Sequence, residues 1–262
     1  MAIQLVGTVT HGSRRLASNP VISLTSLTGG IGSAPIENDI VVVAQTIGSQ
    51  YGDGIAIISS GYTTVANLNS VDTFQSNFLV SVKRMSATPD TSVTIKNQGG
   101  SSTSQTTVVY VLRGVHISDT FSVKSTATGL NTSAPTPPAI TPTDSGSVIL
   151  CIGGAVAGFS FGGAVYTASQ LTSFTQVFQS SSYNAITGTG YYSWVSGTFT
   201  PAAWTVTKDD PGFAWCSLSL SFKPAPAVGP ANLKSYNTNL KANIKSIDTN
   251  LIANVKSFDT NV

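Results

Sequence analysis

Apolar and polar positions alternate along this chain in short blocks, and the blocks are of two kinds. Some are nearly continuous apolar runs of strand length: IVVVAQTIG after Asp39, SVILCI at Ser147–Ile152, and TTVVYVLRGV at Thr106–Val115. Such runs predict strands covered on both faces. Others alternate, as in Phe213–Phe222, FAWCSLSLSF, where Cys216, Leu218, Leu220 and Phe222 are interleaved with small polar residues. That period of two predicts a strand with two different faces. Further strands are expected at Ile3–Thr10, Val21–Leu27, Ile55–Ile58, Asn77–Met85, Ser92–Lys96, Tyr183–Ser196 and Ala203–Thr207. Nearly all are bounded by Gly, Pro, Asn or Asp, the residues that supply turns.

The blocks recur in the same order. A hydrophobic strand after Asp39, a Tyr62-Thr63 turn region, an aromatic-bearing strand, the short SVTI segment and a closing strand at Thr106–Val115 form one series. Ser147–Ile152, Tyr166-Thr167, Tyr183–Ser196, AWTVT and Phe213–Phe222 form the second. The chain is expected to be all-β, a β-sandwich or jelly-roll built from two internally repeated strand sets. The expected divisions are 1–125, 126–225 packed with it, and a linker and repeat tail at 226–262. Whether the two sets build one sandwich or two stays open at this point.

Beyond the proline-rich linker KPAPAVGP the pattern changes to a period of eleven: KSYNTNLKANI from Lys234, KSIDTNLIANV from Lys245 and KSFDTNV from Lys256. Tyr236, Leu240, Ile244, Ile247, Leu251, Val255, Phe258 and Val262 follow one another at spacings of 4, 4, 3, 4, 4, 3 and 4. That spacing suits a right-handed coiled coil. The Asn, Thr, Ser and Asp between them prefer caps and turns, and so favour an extended, turn-punctuated form. In either form these eight positions are the expected oligomerisation or docking surface, because a short repeat buries its apolar side chains against copies or partners.

Composition narrows the function classes. Only 9% of residues are charged and the net charge is +2, from 13 basic and 11 acidic residues. No nucleic-acid partner is therefore expected. No apolar run reaches membrane-spanning length, so no insertion into a membrane is expected. The N-terminus lacks a basic region followed by an apolar one, so no secretory signal is expected. Cys151 and Cys216 read as buried thiols, with a cross-strand disulfide as the alternative. No cofactor or metal is expected, since the ligand spacing for one is missing. Asp209-Asp210 reads as a turn.

Candidate chemistry is sparse. Only His11 and His116 could act as bases near neutral pH. His116 precedes Ser118 and Asp119, but neighbours in sequence do not form a triad, and a loop histidine is the better reading. Tyr191, Tyr192, Trp194 and Trp204 could form an aromatic platform for a sugar, against the reading that a sandwich core consumes them.

Several of these segments resemble a β-sandwich module of tailed-phage structural proteins: DIVVVAQT, GYTTV, LVSVKRMSATPDTSVTI, VVYVLRGV, TPPAITPTDSGSVILCIGG and AWCSLSLSFKPA, across about residues 20–225. Asn38 stands where that module usually has Gly, Tyr62 where it has Trp, and Lys83-Arg84-Met85 where it has Lys-Val-Ala. The tail is similar to the VKSxNGL-type repeats that end many phage virion proteins. The resemblance implies a non-enzymatic virion protein: a fibre, a tail or collar appendage, or a capsid decoration. Such a protein would be made in the host cytoplasm and would partner other virion proteins, as a homo-oligomer with a trimer favoured. The alternative is an adhesin that binds a host-surface glycan or other receptor.

Overall fold

The computed structural model describes residues 2–14, 18–49, 54–71, 75–97, 103–130, 134–157, 165–179, 184–206 and 214–226. The tail positions Tyr236 to Val262 and the Asp209-Asp210 turn lie outside the described residues.

The first sheet contains β1 (Gln4–Arg14), β3 (Ile40–Ser49), β4 (Thr63–Val71), β5 (Gln75–Arg84) and β7 (Ser104–Arg113), in the order β1-β7-β3-β5-β4. The second contains β8 (Phe121–Leu130), β9 (Val148–Ala157), β11 (Thr172–Gln179), β12 (Asn184–Ser193) and β14 (Ala214–Phe222), in the order β11-β12-β9-β14-β8. Every pairing in both is antiparallel. Read from the opposite edge, the second order repeats the first: β8 takes the place of β1, β14 of β7, β9 of β3, β12 of β5 and β11 of β4. The two sequence series thus form one sandwich, with one sheet from each series. β8 runs through the expected boundary at 125/126 and belongs to the second sheet.

Short covering ladders lie outside each sheet. β2 (Val21–Ser23) pairs with β6 (Ser92–Thr94) over the first, and β10 (Tyr166–Thr167) pairs with β13 (Thr205–Val206) over the second. The Val21–Leu27 strand stops at Ser23, and Ile55–Ile58 contributes a single bridge, Ile57 to Ile95. These covers explain the continuous apolar runs. In β3, Val42 and Ala44 face the second sheet, while Val41 and Val43 face the cover that holds Leu24, Met85, Val93 and Ile95. The core between the sheets joins Phe78, Val80, Tyr110 and Leu112 to Leu150, Ile152, Leu218 and Phe222. A third apolar layer, with Ile149, Ile186, Trp204 and Trp215, lies outside the second sheet. Full burial of each Val, Leu or Phe contributes about 1.5–3 kcal/mol, so each sheet is held from both sides.

Strand direction gives the sandwich two distinct ends. The starts of β1, β3, β8 and β9 and the finishes of β5, β7, β12 and β14 lie at one end, and the chain leaves the sandwich there, through residues 223–226. We call this the exit end. The finishes of β1, β3, β4, β8, β9 and β11 and the starts of β5, β7, β12 and β14 lie at the opposite end, the loop end. No helix among the described residues is long and apolar enough to cross a membrane.

Candidate functional site

Among the described residues, a group of charged side chains gathers at the exit end, and local backbone geometry places it. Asn38, at φ 68°, turns the chain into β3 in the left-handed conformation that Gly146, at φ 79°, adopts before β9. Asn is among the few residues with a side chain that enter this region readily, so it can take the place that Gly146 holds in the second series. Behind that turn, Asp39 is 1% exposed. Arg113 at the end of β7 clasps it with both arms, Nε to Oδ1 and Nη2 to Oδ2, each at 2.9 Å. The backbone N–H of Ile36 donates to Asp39 Oδ2 at 2.8 Å. Its hydrogen bond to Asp39 raises the Arg113 pKa above the usual guanidinium range.

The second sheet carries the corresponding clasp in weaker form. Lys223, one residue past β14, reaches Asp144 Oδ1 at 3.1 Å and Asp119 Oδ2 at 3.2 Å. The hydrogen bonds from Thr143 and Lys223 hold the Asp144 carboxyl below its ordinary value, and the two carboxylates push the Lys223 ammonium up. The backbone seals the same place. His116 N donates to Lys223 O at 2.8 Å, Ala225 N donates to Gly114 O at 2.7 Å, and Val115 bridges Pro224. Arg84 stitches the neighbouring loops, donating to Asn38 O, His116 O and Thr120 Oγ1. The departing chain is thereby tied to both series as far as Ala225.

His116 has a structural part in this knot. Its Nδ1 accepts the backbone N–H of Asp119 at 3.1 Å, and the Asp119 carboxylate turns to Lys223. His116 and Asp119 therefore do not meet through their side chains as a triad would need. Among the described residues, no group of three or more His, Cys, Asp or Glu side chains is placed to hold a metal ion.

The aromatic quartet does not assemble into a platform. Tyr191 packs toward the core between the sheets, whereas Tyr192, Trp194 and Trp204 belong to the layer outside the second sheet. Tyr192 stacks on Phe199 at 4.1 Å between ring centroids, and Trp204 is 2% exposed against Tyr166 and Phe174. The cysteines are also separated. Cys151 pairs in register with Ser219 and lies in the outer layer, while Cys216 pairs with Gly154 and lies between the sheets. Both are buried and free, on opposite faces of their sheet, so the cross-strand disulfide does not form. Burial pushes each thiol up to about 12.

One surface feature went unnoticed in the sequence. A shallow depression of about 530 Å³ on the cover of the first sheet is lined by Ser59, Ser60, Lys83 and the Thr88–Ser92 segment. Lys83 binds Asp90 at 2.6 Å and lies 5.5 Å above the Tyr62 ring. Lys83 was read as part of the Asn77–Met85 strand and the region of Tyr62 as a turn, but nothing in either stretch of sequence showed that they meet.

No family model matches the chain, and neither a curated protein nor a solved structure does.

Proposed function

We propose that the chain is a non-enzymatic structural protein of a phage virion, whose sandwich is presented outward and whose C-terminal repeat fastens it to the particle or to its own copies. The observation that carries this reading is the exit-end knot. Residues 223–225 are hydrogen-bonded to 114–116, and Lys223 is ion-paired to two carboxylates, so a pull on the chain beyond Pro226 passes into β14 and its neighbours β8 and β9. A pull along β14 loads its flanking ladders in shear, with many backbone hydrogen bonds strained together instead of one by one. That arrangement suits an anchored appendage. The opposite end, the loop end, is then the one presented.

The test is a particle-incorporation assay with the full chain and with residues 1–226. The truncated chain should keep the β circular-dichroism spectrum and melting temperature of the sandwich while its incorporation falls to background. Undiminished incorporation of residues 1–226 would overturn the reading. A second reading, a module that binds a host-surface glycan, draws on the depression at Ser59–Ser92. Its hydroxyls and its internally neutralised Lys83–Asp90 pair match an uncharged saccharide. A glycan array probed with residues 1–226 tests it, and binding that survives Lys83→Met and Asp90→Ala together would exclude the depression as the site.

A further inference from the structure

The two large sheets end in the edge strands β1, β4, β8 and β11, and an open edge is a template on which another chain can add a strand. Three of these edges are guarded. Along β1 lies the 28–32 segment: Thr8 and Thr28 exchange backbone hydrogen bonds at 2.8 and 3.0 Å, Ile31 N donates to Leu5 O at 3.0 Å, and Gly32 N donates to Val6 O at 2.9 Å. β4 is bulged at Val65, between the paired residues Thr64 and Ala66. β11 is bulged between Thr172 and Thr175, where Ser173 holds φ 48°. A covering segment and a bulge are two of the means by which an edge is kept from pairing.

Among the described residues, β8 carries no such guard. Its register with β14 runs unbroken from Val123 opposite Ser221 to Leu130 opposite Ala214, and the irregularity lies beyond that stretch, at the exit end. The sequence VKSTATGL contains no proline and a single charge, Lys124. The ammonium that could block the edge is drawn back, because Lys124 Nζ donates to Val65 O of β4 at 2.8 Å. Nor does β4 screen the strand. Lys124, Thr126 and Thr128 share the inner face with Leu220, Leu218 and Cys216, their partners in β14, yet all three are exposed while those partners are buried. β8 therefore overhangs β4, and its outer backbone edge stands clear of the first sheet.

We propose that β8 is a docking edge for a second copy of this chain: two β8 strands pair antiparallel about a twofold axis at Thr126 and join the second sheets of both copies into one. The guards select the occupant. A partner strand must itself present an open edge, and in a second copy the strand that does so is again β8. The sequence is also complementary to itself in this register. Thr126 meets the Thr126 of the other copy, Lys124 meets Thr128, Ser125 meets Ala127, and the branched Val123 meets Gly129, which has no side chain. Threonine pairs across strands are favourable, and no like charges face each other. An axis at Lys124 would instead oppose two ammonium groups. Ser70 Oγ of β4 already donates to Gly129 O at 3.1 Å, at the end of the row, and a carbonyl oxygen accepts a second hydrogen bond. The inference goes beyond the virion reading and does not depend on it.

The test uses the full chain. Residues opposite each other in an antiparallel pair have Cα atoms about 4.5–5.5 Å apart, within reach of a disulfide. Thr126→Cys should therefore give a disulfide-linked dimer on mild oxidation, whereas Asn67→Cys, exposed on the guarded β4, should not. Thr126→Lys changes an exposed side chain and sets two ammonium groups on the axis. It should lower the sedimentation mass at least about twofold at concentrations where the wild type is paired, whatever assembly the tail adds. Exchange protection of the β8 amides should rise with chain concentration in the wild type and stay low in Thr126→Lys. Equal masses for the two chains, or cross-linking of Asn67→Cys as complete as that of Thr126→Cys, overturns the proposal. So does a β8 already protected in dilute solution, since its edge would then be covered within its own chain.

Discussion

At the scale of single residues, the exit end shows how conformation and charge are matched. Asn38 holds φ 68°, so Asn38→Ala should cost about 1–2 kcal/mol, because a Cβ-bearing residue without a side-chain amide enters the left-handed region poorly. Asn38→Gly should be neutral or slightly stabilising, and urea denaturation of the two variants checks both. Arg113→Ala should cost more, about 3 kcal/mol, since it leaves the Asp39 carboxylate 1% exposed and without its cation. The buried thiols give a prediction in pH. Burial raises their folded pKa to about 12, above the ordinary thiol value, so the unfolded chain loses these protons first. Stability is then unaffected by them below pH 9 and falls as pH rises through the window to about 12. Tyr62, Tyr110 and Tyr166, raised chiefly by burial, act in the same direction. Chemical denaturation across that range reads the slope, and a thiol reagent at pH 8 should label neither cysteine until the chain unfolds.

At the scale of elements, β1 apart, the sheet strands that the sequence pattern showed plainly are the central ones, and those it missed are edges. β4, β8 and β11 each lie at the margin of a sheet, and β8 alternates half-buried with exposed positions along FSVKSTATGL. An edge strand buries too little to carry a continuous apolar run, so its sequence resembles a polar loop. Their protection is tertiary. Lys124 Nζ of β8 donates to Val65 O of β4 at 2.8 Å, and Ser70 Oγ of β4 donates to Gly129 O of β8 at 3.1 Å. On the other flank Thr8 of β1 exchanges backbone hydrogen bonds with Thr28, at 2.8 and 3.0 Å. Amide hydrogen exchange should therefore be slowest in β3, β7, β9 and β14 and faster in β4, β8 and β11. Equal protection in β8 and β9 would contradict this ordering.

At the scale of the whole molecule, the two series depend on each other. Each sheet turns a row of large apolar side chains toward the other, Phe78, Val80 and Leu112 on one side against Leu150, Leu218 and Phe222 on the other. Residues 1–115 or 116–226 produced alone should aggregate or remain molten, while the two together form the sandwich. Light scattering and near-ultraviolet circular dichroism of the separate and mixed halves would show it. The exit-end knot was legible only in part. Asp39 and the Arg113-Gly114 pair fall in conspicuous motifs, but the ion pair that joins them spans a sequence separation of 74 residues, and no spacing rule reaches that far.

The amino-acid pattern by itself determined the strand class, the twofold series and the double covering of the central runs, because each of these depends on how deeply a side chain is buried. It also marked the turns, where Gly146 and Asn38 adopt backbone angles that few residues tolerate. Only the tertiary structure decided which partner each face meets. It made one sandwich of the two series, put Cys151 and Cys216 on opposite faces, and dispersed the four aromatic residues. A sequence records that a residue avoids water, but the neighbour that replaces the water is chosen by chain segments distant along the sequence.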